Sequence, residues 1–311
     1  MSASNATSSS RKAPAAEPRR RNGASSSSTD RRIALDGPSV HLDPRLHAWR
    51  SDIADIALAG RLFAPHYAAP LIRACGLIAS PVRDEPADGA AQVSELLPGE
   101  GFAVLDLTAG WAWGYCLADH RVGYVEAIEL AEPLEPTHVV VEAQAPIQAG
   151  PDPLAATLSS LPMGSRLHGI VRGASLEFEG GFVPLSYLRA VGEHEEDPVA
   201  VAQRLLGAPY RAGGRTSQGL DCAALVQLSL QLCGLECPRD TKEQRTLGDA
   251  LPDGAPLKRG DLLFCEDHVG MMVDDRMAIQ MSFAAQKVAV EPFTCARPDG
   301  SDSPIERRRL A

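Results

Sequence analysis

The stretch Gly207–Cys233 constrains the chain more than any other. Pro209, Gly213, Gly214 and Gly219 make the run before Cys222 a loop. After Cys222 neither glycine nor proline occurs until Gly234. The end of that run, Val226–Leu232, alternates apolar and polar residues as a strand would. Ala, Leu and Gln are good helix formers, however, β-branched residues are scarce, and eleven residues is long for a strand. The pattern predicts a buried helix from about Ala223 to Cys233, capped by Asp221 and followed by Gly234. Cys222 then sits in the first turn, beside unpaired N–H groups and the positive end of the dipole. A thiol placed there is biased towards thiolate.

The dipole contributes under about 1 kcal/mol, too little to ionise a thiol of pKa about 8.5 by itself. A base is needed, and His268 is the only histidine after Cys222. It opens an apolar run, His268–Val273, after which Asp274-Asp275-Arg276 reads as a turn and Met277–Ser282 as the returning strand. A three-residue loop pairs Gly270 with Gln280 and puts His268 and Gln280 on one face as diagonal neighbours. Diagonal Cβ atoms lie about 7 Å apart, within reach of an amide and an imidazole. Nucleophile, base and polar orienting group in the order Cys, His, Gln is the logic of an activated thiol.

Pro209-Tyr210, Gly213-Gly214, Gly219-Leu-Asp-Cys222, Pro238-Arg-Asp-Thr241, Lys258-Arg-Gly-Asp-Leu262, His268-Val-Gly270 and Val290-Glu-Pro292 together resemble the NlpC-type cysteine peptidases. These are papain-like enzymes that cut bacterial cell-wall peptides. The resemblance covers roughly residues 196–311. It implies an α+β papain-like domain with Cys222 as nucleophile, His268 as base and Gln280 as third member. It also implies substrate contacts from Tyr210, Asp221, Arg239 and Asp240, although Asp221 is read first as the helix cap. Ala223 stands where Ser is usual, Ala212 where an aromatic is usual, and Gln280 where His is commonest.

The 311 residues suit two or three compact units. Residues 1–32 carry seven Lys/Arg against Glu17 and Asp30, nine serines and no aromatic residue, which reads as a disordered basic tail. The tail takes +5 of the chain's −10 and leaves −15 for the rest, which argues against a nucleic-acid partner. Arg19-Arg20-Arg21 is followed by no apolar stretch, so neither secretory signal is expected, and no run is apolar enough for integral membrane association. Seven scattered cysteines suit unpaired thiols in a reducing compartment rather than a disulfide framework. Cys233 and Cys237 lack the further ligands a zinc site needs.

Residues 33–74 read as a helical lead-in. Asp43 caps and Pro44 takes the first position of a helix to about Gly60, with Leu46, Trp49, Ile53 and Ile56 on one face. Beyond it the chain repeats itself. Val122–Leu130 and Gly181–Leu188 each close a run of short β segments with Gly, aromatic, Val and, five residues on, Leu. Two small all-β barrels follow, residues 75–132 and 137–190, resembling the bacterial SH3 domains that commonly precede this peptidase domain. The chain thus reads as multidomain: tail, lead-in, two SH3-like barrels and the catalytic domain at 196–311.

The resemblance narrows the substrate to peptidoglycan-derived peptides, cut between γ-D-glutamate and the L-diamino acid. Two SH3-like domains and unpaired thiols are similar to the cytoplasmic dipeptidyl-peptidase type, which recycles released muropeptides with a free N-terminal L-Ala. In that type the first SH3-like domain closes the site over the amine; Glu100 holds the matching acidic position, Tyr124 is a candidate aromatic partner, and Arg121 replaces a common Tyr. The implied chemistry needs no metal or organic cofactor. Open alternatives are an exported or phage-like hydrolase of intact wall, action on amides or lipids, and a degenerate wall-peptide-binding protein.

Overall fold

The computed structural model describes residues 41–294 and 305–310; the basic tail expected over 1–32 lies outside them. Three successive larger sheet systems and two two-stranded sheets order the described residues. Strands Leu71–Cys75, Ser80–Arg83, Gln92–Leu96, Gly101–Thr108, Trp111–Cys116, Val122–Glu126 and Leu130–Ala131 form one seven-stranded sheet around Val82, Leu96, Phe102 and Val125. This first barrel begins at Leu71, four residues before the position read from sequence. The second barrel joins a three-stranded sheet (Arg166–Leu167, His138–Val140, Leu188–Ala190) to a five-stranded one running from Thr157–Pro162 to Ile170–Arg172. Its core is Val140, Ala145, Leu161, Leu176 and Val183.

The internal echo has a structural basis. Val122–Glu126 and Gly181–Pro184 are each followed by a one-turn 3-10 helix, Ala127–Glu129 and Leu185–Tyr187, and then by a short strand. The Val in each copy, Val125 and Val183, is fully buried. The repeated letters mark the same strand-to-turn corner in both barrels.

The helix expected over Asp43–Gly60 does not form. Asp43 does begin a turn, accepting the Arg45 N–H on its side chain and the His47 N–H on its carbonyl. The chain then extends: Ile53–Asp55 pairs in parallel with His66–Ala68, and only Ile56–Leu58 winds, as 3-10 helix capped by Asp55. The apolar residues find a better partner than a helix stripe. Ala48 and Ile53 pack with Leu105 and Trp113 of the first barrel, and Arg50 lies 4.4 Å over the Trp113 ring. Tertiary packing overrides a local propensity worth a few tenths of a kcal/mol per residue.

The catalytic-side domain holds helices α1 (Pro198–Gln203), α2 (Cys222–Leu232) and α3 (Thr241–Gln244). Its six-stranded sheet runs Asp249–Ala250, Glu306–Arg309, Leu262–Cys265, His268–Met272, Ala278–Ser282, Lys287–Glu291. Leu225, Val226, Leu228 and Leu230 of α2 share one core with Val269, Met271, Ile279 and Met281 of the sheet. The alternation that mimicked a strand is explained by partners. Gln227 donates to Asp119 of the first barrel at 2.8 Å, Gln231 accepts from Arg215, and Ser229 bonds back to the Leu225 carbonyl. Gly234, at φ +76°, ends the helix, with the Leu235 N–H reaching the Leu230 carbonyl at 3.0 Å. Cys265 is disulfide-bonded, against the expectation of unpaired thiols, whereas Cys75, Cys116, Cys222, Cys233 and Cys237 are free.

Candidate active site

The loop before α2 and two adjacent strands converge on one cleft of about 380 Å³, lined among others by Tyr210, Gly213, Cys222, Thr241 and His268. Asp221 is the N-cap of α2, its Oδ1 accepting the Ala224 N–H at 2.8 Å. It does more than cap. Arg239 donates to both carboxylate oxygens at 3.0 and 2.6 Å, and the Gly213 N–H adds a bond to Oδ2 at 3.1 Å. The cap, the glycine loop and the Arg239 segment are therefore tied to one carboxylate. Cys222, the first residue of the helix, points its thiol towards the Asp267 carbonyl at 3.5 Å.

The register read from sequence is the register formed: Gly270 pairs with Gln280. His268 Nε2 and Gln280 Oε1 meet at 3.0 Å, both side chains buried. Since Nε2 is engaged there, Nδ1 is the nitrogen left to exchange a proton with a thiol. Phe283 and Phe293 bracket the imidazole, with ring centroids 4.6 and 5.6 Å away.

Burial dominates the electrostatics and drives both groups towards neutrality. Desolvation, helped by the Asp221 charge, pushes the Cys222 thiol up to about 11. A hydrogen bond from the Val269 N–H, one from the Thr241 hydroxyl and the Arg239 charge act the other way. Desolvation also lowers His268, opposed by the bond to Gln280 and the Glu291 charge. The resting pair is thus thiol and neutral imidazole. The helix start does not ionise Cys222, so attack by its sulfur would require a base to take the proton.

Of the other residues singled out from sequence, Tyr210, Asp221, Arg239 and Asp240 line the cleft. Arg239 is 2% exposed and committed to Asp221 and the Ser94 hydroxyl, so it braces the wall of the cleft. Asp240 is held by Arg45 at 3.0 Å and by Arg121. Glu100 and Tyr124 do not line the cleft, which corrects the expectation that they receive a substrate amine. In the turn Leu97–Glu100 the Glu100 carboxylate folds back onto the Leu97 N–H at 2.9 Å and takes both ends of Arg215, at 2.6 and 3.0 Å. A carboxylate 5% exposed, with its charge already compensated by a buried guanidinium, is committed to the fold rather than to a ligand. Tyr124 packs beside Trp113 and Leu105, its hydroxyl 3.4 Å from Arg50.

Sequence reasoning missed Thr241, Glu291 and Phe293 as parts of the site. Glu291 was within reach: Gln280 pairs with Ala289, so Glu291 is its diagonal neighbour by the geometry that links His268 to Gln280. Among the described residues no group of three or more His, Cys, Asp and Glu is placed to hold a metal ion, and no helix is long and apolar enough to cross a membrane.

Residues 207–297 match the family model described as NlpC/P60 family. The chain carries an NlpC/P60 domain. Residues 82–130 match a second model, the bacterial dipeptidyl-peptidase Sh3 domain, so the first barrel is an SH3 domain of that type. A probable endopeptidase NlpC homolog of Haemophilus influenzae is 37% identical over 86 residues, 27% of this chain and 46% of that one. Dipeptidyl-peptidase 6 of Lysinibacillus sphaericus is 24% identical over 249 residues, 69% of this chain and 89% of its own length. The chain therefore spans less than half of the first relative and most of the second. The solved structure of an NlpC/P60 family protein from Bacillus cereus matches 77% of this chain and 99% of its own with a TM-score of 0.66; at 17% identity the likeness is one of fold.

Proposed function

We propose that the protein is a cysteine peptidase that hydrolyses the γ-D-glutamyl–L-diamino acid bond of peptidoglycan stem peptides, acting on released peptides with a free N-terminal L-Ala. One observation carries the chemistry: Cys222 at the head of α2 opens onto the same cleft as His268, whose far nitrogen is held by Gln280. His268 Nδ1 takes the thiol proton as sulfur attacks the scissile carbonyl carbon, and the unpaired N–H groups at the start of α2 face the developing oxyanion. His268 then protonates the leaving amine; water, deprotonated by the same imidazole, attacks the thioester carbonyl, the C–S bond breaks to free the acyl product as a carboxylate, and the proton returns to the Cys222 sulfur.

The small-peptide reading has support of two kinds. Gly213 lines the cleft, and Gln92 of the SH3 domain donates to its carbonyl at 3.0 Å, so the SH3 domain abuts one edge of the site. The similarity to dipeptidyl-peptidase 6 covers 69% of this chain, more than the NlpC/P60 domain alone. Glu100, paired with Arg215, lends this reading no support. Action in the cytoplasm belongs to the same proposal, without support from the thiols, since Cys265 is disulfide-bonded. The test offers the purified protein three substrates: L-Ala-γ-D-Glu-L-diamino acid tripeptide, its N-acetyl form, and sacculi. Release of L-Ala-γ-D-Glu from the free tripeptide, lost in Cys222→Ala, is the expected result. Product from sacculi but not from the tripeptide would favour a hydrolase of intact wall.

A further inference from the structure

A glutamine in the third position of such a triad has a weakness that a histidine lacks. Its amide can turn over, exchanging oxygen for nitrogen with little change of shape. Only the oxygen can accept from an imidazole N–H and favour an imidazolium; the nitrogen would oppose both. Here the choice is made by two acceptors on the other side. Gln280 Nε2 donates to Glu291 Oε1 at 3.1 Å and to the Pro292 carbonyl at 3.4 Å, which leaves Oε1 for His268. The Ser282 hydroxyl donates to Glu291 Oε2 at 3.2 Å and fixes the carboxylate in turn. Phe293 stacks on the imidazole at an interplanar angle of 14°. Gly270 gives that ring its room, since a Cβ there would lie 2.9 Å from it.

We propose that Glu291-Pro292-Phe293 is a strap that positions His268, in which Glu291 orients the Gln280 amide and its charge stabilises the imidazolium formed when Cys222 loses its proton. Glu291 is a positioning residue that acts through Gln280. The inference rests on the cysteine peptidase reading above. Three adjacent residues at the end of the strand Lys287–Glu291 thus fix the amide orientation, the charge and the ring plane. The Glu291 charge opposes the burial that would otherwise weaken His268 as a base. Other charges surround the pair. Asp221 and Arg239 act on Cys222 in opposite senses, Asp240, Glu266 and Asp267 line the cleft, and Lys287 lies across from Ser282. The test therefore compares variants of Glu291 alone.

The rate at which iodoacetamide alkylates Cys222, read by mass spectrometry from pH 6 to pH 10, needs no substrate. It separates this inference from the identity of the peptide cleaved. Glu291→Gln keeps an acceptor but removes the charge; losing one pKa unit of imidazolium stabilisation lowers alkylation at neutral pH roughly tenfold. The deficit should close at alkaline pH, where the thiolate forms without His268. Glu291→Ala, which also frees the amide, should fall further, and Glu291→Asp should recover part of the loss. On a cleaved substrate kcat follows the same order, with KM within about twofold. Wild-type alkylation profiles for both Glu291→Gln and Glu291→Ala would overturn the assignment, as would a deficit of equal size at every pH. The expected profiles without tripeptide cleavage would uphold the strap and remove only the substrate proposal.

Discussion

Desolvation acts on Cys222 and His268 in opposite chemical senses, raising the thiol and lowering the imidazole, so that both rest uncharged. His268 binds fewer protons folded than unfolded near the ordinary histidine value. It must therefore cost stability as pH falls below about 6.5, and cost nothing well above it. As the base, it should stay competent below that value. The acid limb of kcat/KM on the tripeptide is expected below pH 6.5; a midpoint above it would mean that Gln280 and Glu291 outweigh burial. Cys222→Ala should abolish turnover with folding intact. His268→Ala should cost about 10²–10⁴-fold in kcat, and Gln280→Ala less, because a neutral amide orients the ring and adds no charge. Larger damage from Gln280→Ala than from His268→Ala would invert the two roles. This part of the site was legible because strand period and loop length are local quantities. The Glu100 partner was not, since Arg215 lies 115 residues away with no local pattern to announce it.

At the level of the element, α2 could be read from composition and caps alone, and the His268 hairpin from alternation and a turn. The lead-in could not, because Leu46, Trp49, Ile53 and Ile56 satisfy a helical period that the barrel surface overrules. The loop before α2 is the element on which function leans hardest. Gly213 adopts φ +70°, donates to the Asp221 carboxylate, and leaves no space for a side chain, since a Cβ would lie 2.4 Å from the Gln92 carbonyl oxygen. Gly213→Ala therefore combines a left-handed backbone with a clash against the SH3 domain, at a cost of about 1–3 kcal/mol. Thermal unfolding should shift downwards and kcat/KM should fall, with Asp221 and the head of α2 displaced together. Unchanged melting and kinetics would show that the loop yields without disturbing the cap.

On the scale of the whole molecule, Leu97, Val141 and Met163 of the barrels join the apolar core of the NlpC/P60 domain, and a set of ion pairs adds to that joint. Glu95 takes the Arg211 guanidinium at 2.6 Å and the Arg215 N–H at 2.7 Å, Glu100 takes Arg215, and Arg121 reaches Asp240. Arg215 is 1% exposed, so its charge depends on these partners for compensation. Removing one member of such a buried pair typically costs about 3–5 kcal/mol, because the charge left behind stays desolvated. Glu100→Gln keeps the shape and a hydrogen-bond acceptor, which places its effect towards the lower end of that range. The expectation is a marked loss of thermal stability with no change in the ratio of kcat/KM between free and N-acetylated tripeptide. Glu100→Gln together with Arg215→Met removes both charges and should regain part of the lost stability. A Glu100→Gln protein of normal stability that discriminates poorly between the two peptides would return Glu100 to the substrate, and would require the Arg215 pair to open when peptide binds.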